Sequence, residues 1–363
     1  MFHPLNWVLQ ALLALVIFAH PSEKQNLREG QSVPAPVLRL GVKDEVPVPT
    51  QFATPVMFPA RCDRKENVYV RFYRYPDPFG APWVKVSADG RIAATYSLAS
   101  VTEYKSIQGS DFAIGPHGEF LVIATATPKD EKKDQRKSIV VIVTFDSDGS
   151  YRSKAELDIE STIAPAKILP LPDGNFFVTG RQIDDNTDSQ TEVAAKPFNA
   201  IVDPSGKIVK NVAVPNDVKL KAPSKQSSGL SLSEIPLGDA VLGDDANIYL
   251  MRRTQNPSVY VISADGQLIK GYEVKRPSET ALALDMKWGM GGKLAFLFGA
   301  PPTGGGSQDR VLTVVDAQTG ETQINYETGP ETGAAVACFT PNGVTFIGST
   351  DDGHLALKHA IPR

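Results

Sequence analysis

The chain is poor in the residues from which metal centres and catalytic clusters are usually built. Its 363 residues include two cysteines and five histidines. Neither Cys62 nor Cys338 belongs to a Cys-x-x-Cys pair or has a histidine nearby, which excludes the common zinc spacings. Beyond the N-terminal stretch only His117, His354 and His359 remain. His117 falls in a turn, and two histidines five apart on one strand face opposite ways. No Ser-His-Asp set emerges. The chain also lacks an excess of charge of one sign. Its 37 basic and 41 acidic residues leave a net −4, with no Lys/Arg stripe, so nucleic acid is not expected as a partner. At 21% charged and 42% hydrophobic it has too little charge for a disordered chain and enough apolar material for a large core.

The apolar run at the N-terminus, Trp7 to Ala19, is 13 residues long. That is short of the roughly 20 that a bilayer span requires and within the range of about 7–15 for a signal-peptide core. Residues 1–22 therefore read as a signal peptide. The alternative is an uncleaved N-terminal anchor, because no Lys or Arg precedes the run and Ala19-His20-Pro21-Ser22 is a poor small-x-small cleavage site. Either way the protein is expected to be exported: periplasmic, envelope-associated or extracellular. The anchor would be its only membrane contact.

What the chain has in quantity is a repeated hairpin. An alternating apolar run, a turn ending in Gly or Asn and a second apolar run return along its length. The turns include Ala88-Asp89-Gly90, Pro116-His117-Gly118, Pro172-Asp173-Gly174, Asp245-Ala246-Asn247 and Pro341-Asn342-Gly343. Gly and Asn supply the positive φ that such turns require, and the flanks carry β-branched or aromatic residues at period two, as in Val259-Tyr260-Val261-Ile262. Two kinds of hairpin alternate. One has a strongly apolar second strand (Asp111–Ala124, Lys167–Gly180, Asp239–Met251, Asp285–Phe298, Val336–Gly348), and the other ends in a more polar strand (Trp83–Leu98, Ile139–Leu157, Ala200–Val214). An inner and an outer hairpin together make one four-stranded blade.

Pairing them predicts an all-β, six-bladed β-propeller with four antiparallel strands per blade over residues 56–361. Blades begin near Val56, Asp111, Ala166, Gly238, Leu284 and Ala335, and their spacing of about 43–72 residues suits blades with variable loops. Residues 23–55 form an extended lead-in. Within it Val37–Val42 is strand-like and could close the ring against the last blade, which lacks a fourth strand; a seventh blade would need residues 24–56 to supply one. Units such as Leu171-Pro172-Asp173-Gly174-Asn175-Phe176-Phe177-Val178, followed by Asn199-Ala200-Ile201-Val202-Asp203-Pro204-Ser205-Gly206, resemble bacterial six-bladed propellers of the NHL-repeat and TolB-like type. The resemblance implies a ring with a central channel. It implies no particular activity, since that group mixes scaffolds, ligand binders and a few hydrolases and lyases.

Three readings of sites follow. The long irregular segments Tyr75–Pro82, Thr127–Lys137, Ile183–Lys196, Asn216–Pro236 and Gly299–Asp309 all fall at the end of the blades away from the hairpin turns. This marks a recognition face for a protein, peptide or glycan, or else tolerated insertions. Asp111, Asp239 and Asp285 share one repeat position at the start of the innermost strand, so three carboxylates would converge on one mouth of the channel. They would repel one another unless a cation or basic group joined them. Oxygen ligands would suit Ca²⁺ or Mg²⁺, in a layout resembling metal-bearing propeller lactonases and esterases. The competing reading is that each Asp accepts backbone N–H bonds from its neighbouring blade, and no cofactor is needed. Asp184–Asp188 starts like an EF-hand loop but has Ser189 and Ala195 where Gly and Glu are demanded, and Gly304-Gly305-Gly306 lacks the rest of a phosphate loop. Finally, Cys62 and Cys338 lie in the first and sixth inner hairpins, neighbours in a closed ring. In an oxidising compartment they could pair; the alternative is two buried thiols. A binding propeller without catalytic residues is the leading expectation, and a metal-dependent hydrolase or lactonase the alternative.

Overall fold

The computed structural model describes residues 35–49, 56–72, 81–129, 138–159, 161–182, 196–215, 237–289, 291–299 and 310–363. The N-terminal run, the Asp184–Asp188 stretch, Gly304–Gly306 and most of the long loops lie outside the described residues. Those described form an all-β, propeller-like assembly of small sheets, with a single 3-10 turn at Leu98–Ser100.

The first strand is β1 (Val37–Pro47). One four-stranded sheet follows from β2 (Val56–Cys62), β3 (Val68–Phe72), β4 (Trp83–Val86) and β5 (Ile92–Tyr96), and another from β6 (Tyr104–Ile114), β7 (Phe120–Pro128), β8 (Ile139–Phe145) and β9 (Tyr151–Glu156). A third holds β10 (Ile163–Pro170), β11 (Phe176–Gln182), β12 (Lys196–Val202) and β13 (Ile208–Asn211), and a fourth β14 (Leu237–Leu242), β15 (Ile248–Arg252), β16 (Ser258–Ile262) and β17 (Leu268–Glu273). The remaining strands are β18 (Leu282–Gly289), β19 (Lys293–Gly299), β20 (Arg310–Asp316), β21 (Thr322–Thr328), β22 (Ala335–Thr340), β23 (Gly343–Ser349) and β24 (Leu355–Pro362). They join β1 in one eight-stranded sheet of order β18-β19-β20-β21-β1-β24-β23-β22. Here β1 runs antiparallel to β24, with Leu40 opposite Pro362 and Pro47 opposite Ala356, and parallel to β21 through Val37–Leu40. It extends five residues beyond the Val37–Val42 segment expected from sequence.

Every other pairing is an antiparallel neighbour-to-neighbour ladder, as the hairpin turns dictate. Gly90, Gly118, Gly174 and Gly206 have positive φ at the turns, and in all but the Gly118 turn an aspartate before the glycine accepts a backbone N–H two residues on, as Asp173 does from Asn175 and Asp203 from Ser205. In the Asp245-Ala246-Asn247 turn the positive φ falls on Ala246 (62°) rather than on the Asn. The polarity gradient also follows the strand order: β15 is buried throughout, while β17 at the outer edge is largely exposed. Successive first strands pack on one another, β6 on β10, β10 on β14, β14 on β18, β18 on β22 and β22 on β2. The first strands begin within two residues of where expected, except β10, at Ile163 rather than Ala166, and β6, at Tyr104 rather than Asp111.

Each first strand also breaks register once. The irregularities lie between Met57 and Arg61, Gly109 and Asp111, Pro165 and Lys167, Leu237 and Ala240, Ala283 and Asp285, and Val336 and Cys338. A bulge re-aims the side chains that follow it. Arg61, Asp111, Lys167 and Asp285 come immediately after such a break, and Asp239 lies within one.

Candidate functional site

The bulges gather six charged side chains where the first strands converge. Arg61 donates to both carboxylate oxygens of Asp111 at 3.1 Å and reaches Asp239 at 3.6 Å. Lys167 Nζ stands 3.3 Å from Asp239 and 3.8 Å from Asp111. Lys287 Nζ lies 2.9 Å from Asp285 Oδ2, off the hydrogen-bonding direction, and donates at 2.7 Å to the carbonyl of Ala60. The Arg61–Asp239 contact joins β2 to β14 and the Lys287–Ala60 bond joins β18 to β2. Neither pair of strands is adjacent, so these contacts cross the centre of the assembly. Arg61 also lies over the Phe112 ring at 4.9 Å.

The three carboxylates are brought together, but not as an open acidic mouth. Asp111, Asp239 and Asp285 are 1–3% exposed, and the basic side chains keep more of their surface, 17% for Arg61, 15% for Lys167 and 11% for Lys287. The acids are covered by the bases, the basic-group alternative to a bound cation, because ionised carboxylates this deep require cations in contact. Backbone amides complete the set. Asp111 accepts from Ile168 N–H on the neighbouring β10, and Asp239 and Asp285 accept from Ala240 and Met286 on their own strands. Among the described residues no group of three His, Cys, Asp or Glu is placed to hold a metal ion.

The electrostatics of the pair Asp239 and Asp285 diverge. Burial would raise Asp239, but Lys167 and Arg61 overcome it and hold the carboxyl far below the usual range. Burial, with Asp239 beside it and against the pull of Lys287, pushes Asp285 up to about 6. Burial acts against the Arg61 charge, and Asp111 and Asp239 more than restore it.

Sequence reasoning missed all three bases. Lys167 carried a readable signal: like Asp111, Asp239 and Asp285 it stands seven residues before the positive-φ residue of its turn (Gly174; Gly118, Ala246 and Gly292 for the others). Arg61 and Lys287 sit further along their strands and carried none. Cys62 and Cys338 are joined in a disulfide between β2 and β22, with Cα atoms 5.5 Å apart. Of the histidines, His117 lies in a turn, His354 in the turn before β24 rather than on a strand, and His359 on β24, where its Nε2 meets the carbonyl of Asn342.

No protein-family model matches the chain, and no curated protein matches it. Solved structures do. A protein of unknown function from Dyadobacter fermentans superposes with a TM-score of 0.56 at 11% identity, over 91% of this chain and 100% of that one. The polysaccharide lyase Uly1 gives 0.46 at 10% identity over 85% of this chain and 76% of its own, and a protein of unknown function from Bacteroides caccae 0.43 at 10% over 74% and 85%. The first of these is a likeness of fold alone.

Proposed function

We propose that the chain is an exported six-bladed β-propeller of the NHL-repeat or TolB-like type, which binds a protein, peptide or glycan through its loop-rich end and performs no chemistry of its own. Six blades follow if the eight-stranded sheet is divided at the parallel β21–β1 pairing. Strands β18–β21 then form the fifth blade, and β22–β24 with β1 the sixth; the Arg61–Asp111 pair links β2 to β6 where the run of packed first strands would close.

The observation that carries the binding reading is the contrast between the two ends of the blades. Within each antiparallel sheet the first-to-second and third-to-fourth turns share one end. Most of them repeat one five-residue pattern, with the same two backbone bonds in 63–67, 87–91, 115–119, 146–150, 171–175, 203–207, 243–247 and 263–267; the turns at 316–321 and 340–343 differ. The second-to-third connections and the links between sheets share the other end. These range from the short Thr350–His354 turn, which has the same two bonds, to the 216–236 segment. Variable loops on a rigid frame are where recognition concentrates. Three basic side chains within 2.9–3.8 Å of the central carboxylates weigh against a metal-dependent hydrolase, whose cation would need those oxygens.

The test is binding to glycan and peptide arrays by the parent and by variants with 183–195 or 216–236 replaced by a short Gly-Ser turn. The reading expects parent ligands that persist in EDTA and that a shortened variant, still folded, no longer binds. Ligands bound equally by all variants, or only in the presence of divalent cations, would overturn it.

A further inference from the structure

At the loop-rich end of the β14–β17 sheet lies a guanidinium without an anionic counterpart among the described residues. Arg252 is the last residue of β15 and is 3% exposed. It ends the row Ile248, Leu250, Arg252, which shares a face with Tyr260 and Ile262 of β16. That face packs against Phe177 and Ile201 of the β10–β13 sheet. Among the described residues its one partner is the Tyr260 ring, 5.8 Å from the guanidinium carbon. Its Nε is buried with no acceptor. Arg71, Arg310 and Arg61 each have at least one acceptor, although Arg310 Nε is likewise buried without one. Arg71 donates to the carbonyls of Ala81 and Gly109 and lies over Trp83 at 4.2 Å. Arg310 donates to the carbonyl of Gly333 at 2.7 Å, and Arg61 has Asp111.

A buried cation without an anion is among the costlier arrangements in a protein. Burial lowers the pKa of Arg252, yet an arginine does not escape the cost by losing its proton. Facing it, on the same side of the β10–β13 sheet as Phe177 and Ile201 and toward the same end, are Thr179 and Asn199. Both are buried, and the Thr179 hydroxyl donates to Asn199 Oδ1 at 2.8 Å. The seam therefore joins an unpaired planar fork of donors to neutral polar groups and an aromatic ring.

We propose that Arg252 receives a carboxylate of the ligand, taken two-pronged in the seam between the β10–β13 and β14–β17 sheets. This deepens the binding reading above and rests on it. The guanidinium fork matches the two oxygens of a carboxylate, and Thr179, Asn199 and Tyr260 suit the hydroxyl or amide groups such a ligand also bears.

Thermal unfolding of the full chain at constant ionic strength tests this, with sodium D-glucuronate or N-acetyl-aspartate at tens of millimolar against sodium chloride. Ligand that binds only the folded state raises the midpoint by mass action. The parent should gain about 2 °C or more with at least one probe. Glucuronate would indicate a sugar acid and N-acetyl-aspartate an acidic peptide. Arg252→Lys, which keeps the charge but not the fork, should respond less, and Arg252→Met not at all. Without probe, Arg252→Met should unfold at or above the parent's temperature, since it removes an unpaired buried charge. The proposal is overturned if the parent responds to neither probe, if Arg252→Met responds equally, or if that variant alone unfolds several degrees lower. Array ligands retained by Arg252→Met but lost on shortening the loops would overturn the carboxylate site and leave the binding function standing.

Discussion

The β2–β5 sheet has two faces, and they are held to their neighbours by different means. Toward the β6–β9 sheet it presents Tyr69, Trp83 and Tyr96, which pack with Phe112, Phe120 and Phe145. Phe120 lies at the centre, with its ring 4.0 Å from that of Tyr96 and 5.1 Å from that of Phe112. Even the backbone makes room there, since a Cβ on Gly109 would meet the Trp83 ring at 2.3 Å. Toward β22–β24 the same strands present Val68, Val70, Val84 and Val86 against Ala335, Ala337, Ile347 and Leu357. The alternation Val68-Tyr69-Val70 thus sends bulk one way and small residues the other. The side chains of the aromatic seam are larger and gain ring contacts besides. The small-residue seam carries the disulfide and the strand β1. Where packing is thin, a covalent bond and a strand exchange do the joining.

This comparison can be broken at several points. The largest effect is expected at the thin seam. Replacing Cys62 and Cys338 together by Ala frees a loop spanning 276 residues and should cost up to about 5 kcal/mol in the chain-entropy account, read from denaturant midpoints. A loss below 1 kcal/mol would show that Val and Ala packing suffices. At the aromatic seam Phe120→Ala should cost about 4 kcal/mol; a cost no greater than that of Val84→Ala on the opposite face would erase the distinction.

The smallest effect belongs to the charged centre that both seams border. The folded state holds the Asp285 proton up to about pH 6, against 3.8 ordinarily. It therefore binds more protons than the unfolded chain between those values, so this group's contribution to stability rises as pH falls from about 6 toward 4, by at most about 3 kcal/mol. Asp239, held low, acts in the opposite sense only below the ordinary value. The difference in unfolding free energy between parent and Asp285→Asn should shift in the parent's favour from pH 7 to pH 4.5. A difference independent of pH would mean that Lys287 keeps Asp285 ionised throughout.

Much of the frame was legible because its signals are local. Turn residues, period-two alternation and the polar outer strand each depend on a few neighbouring residues, and they located the hairpins. The convergence of Asp111, Asp239 and Asp285 was legible for the same reason, as a repeated offset from a turn. What joins them was not. Arg61 meets Asp239 across the centre, a contact set by how the first strands pack and by where each bulges, and no spacing encodes either. Arg252 was hidden differently: in Ile-Tyr-Leu-Met-Arg it reads as a charged strand end in solvent, and only the burial of that end shows otherwise.

The position of β1 has a consequence in time. Its antiparallel partner, β24, lies at Leu355–Pro362, so nearly the whole chain is made between the two. At about 5–20 residues per second that is an interval of roughly 15–60 s during synthesis, throughout which β1 lacks its antiparallel partner; its parallel partner β21 comes only shortly before β24. The β1–β24 ladder cannot form until Leu355–Pro362 has emerged, and any chain stopped before β24 leaves the antiparallel edge of β1 open.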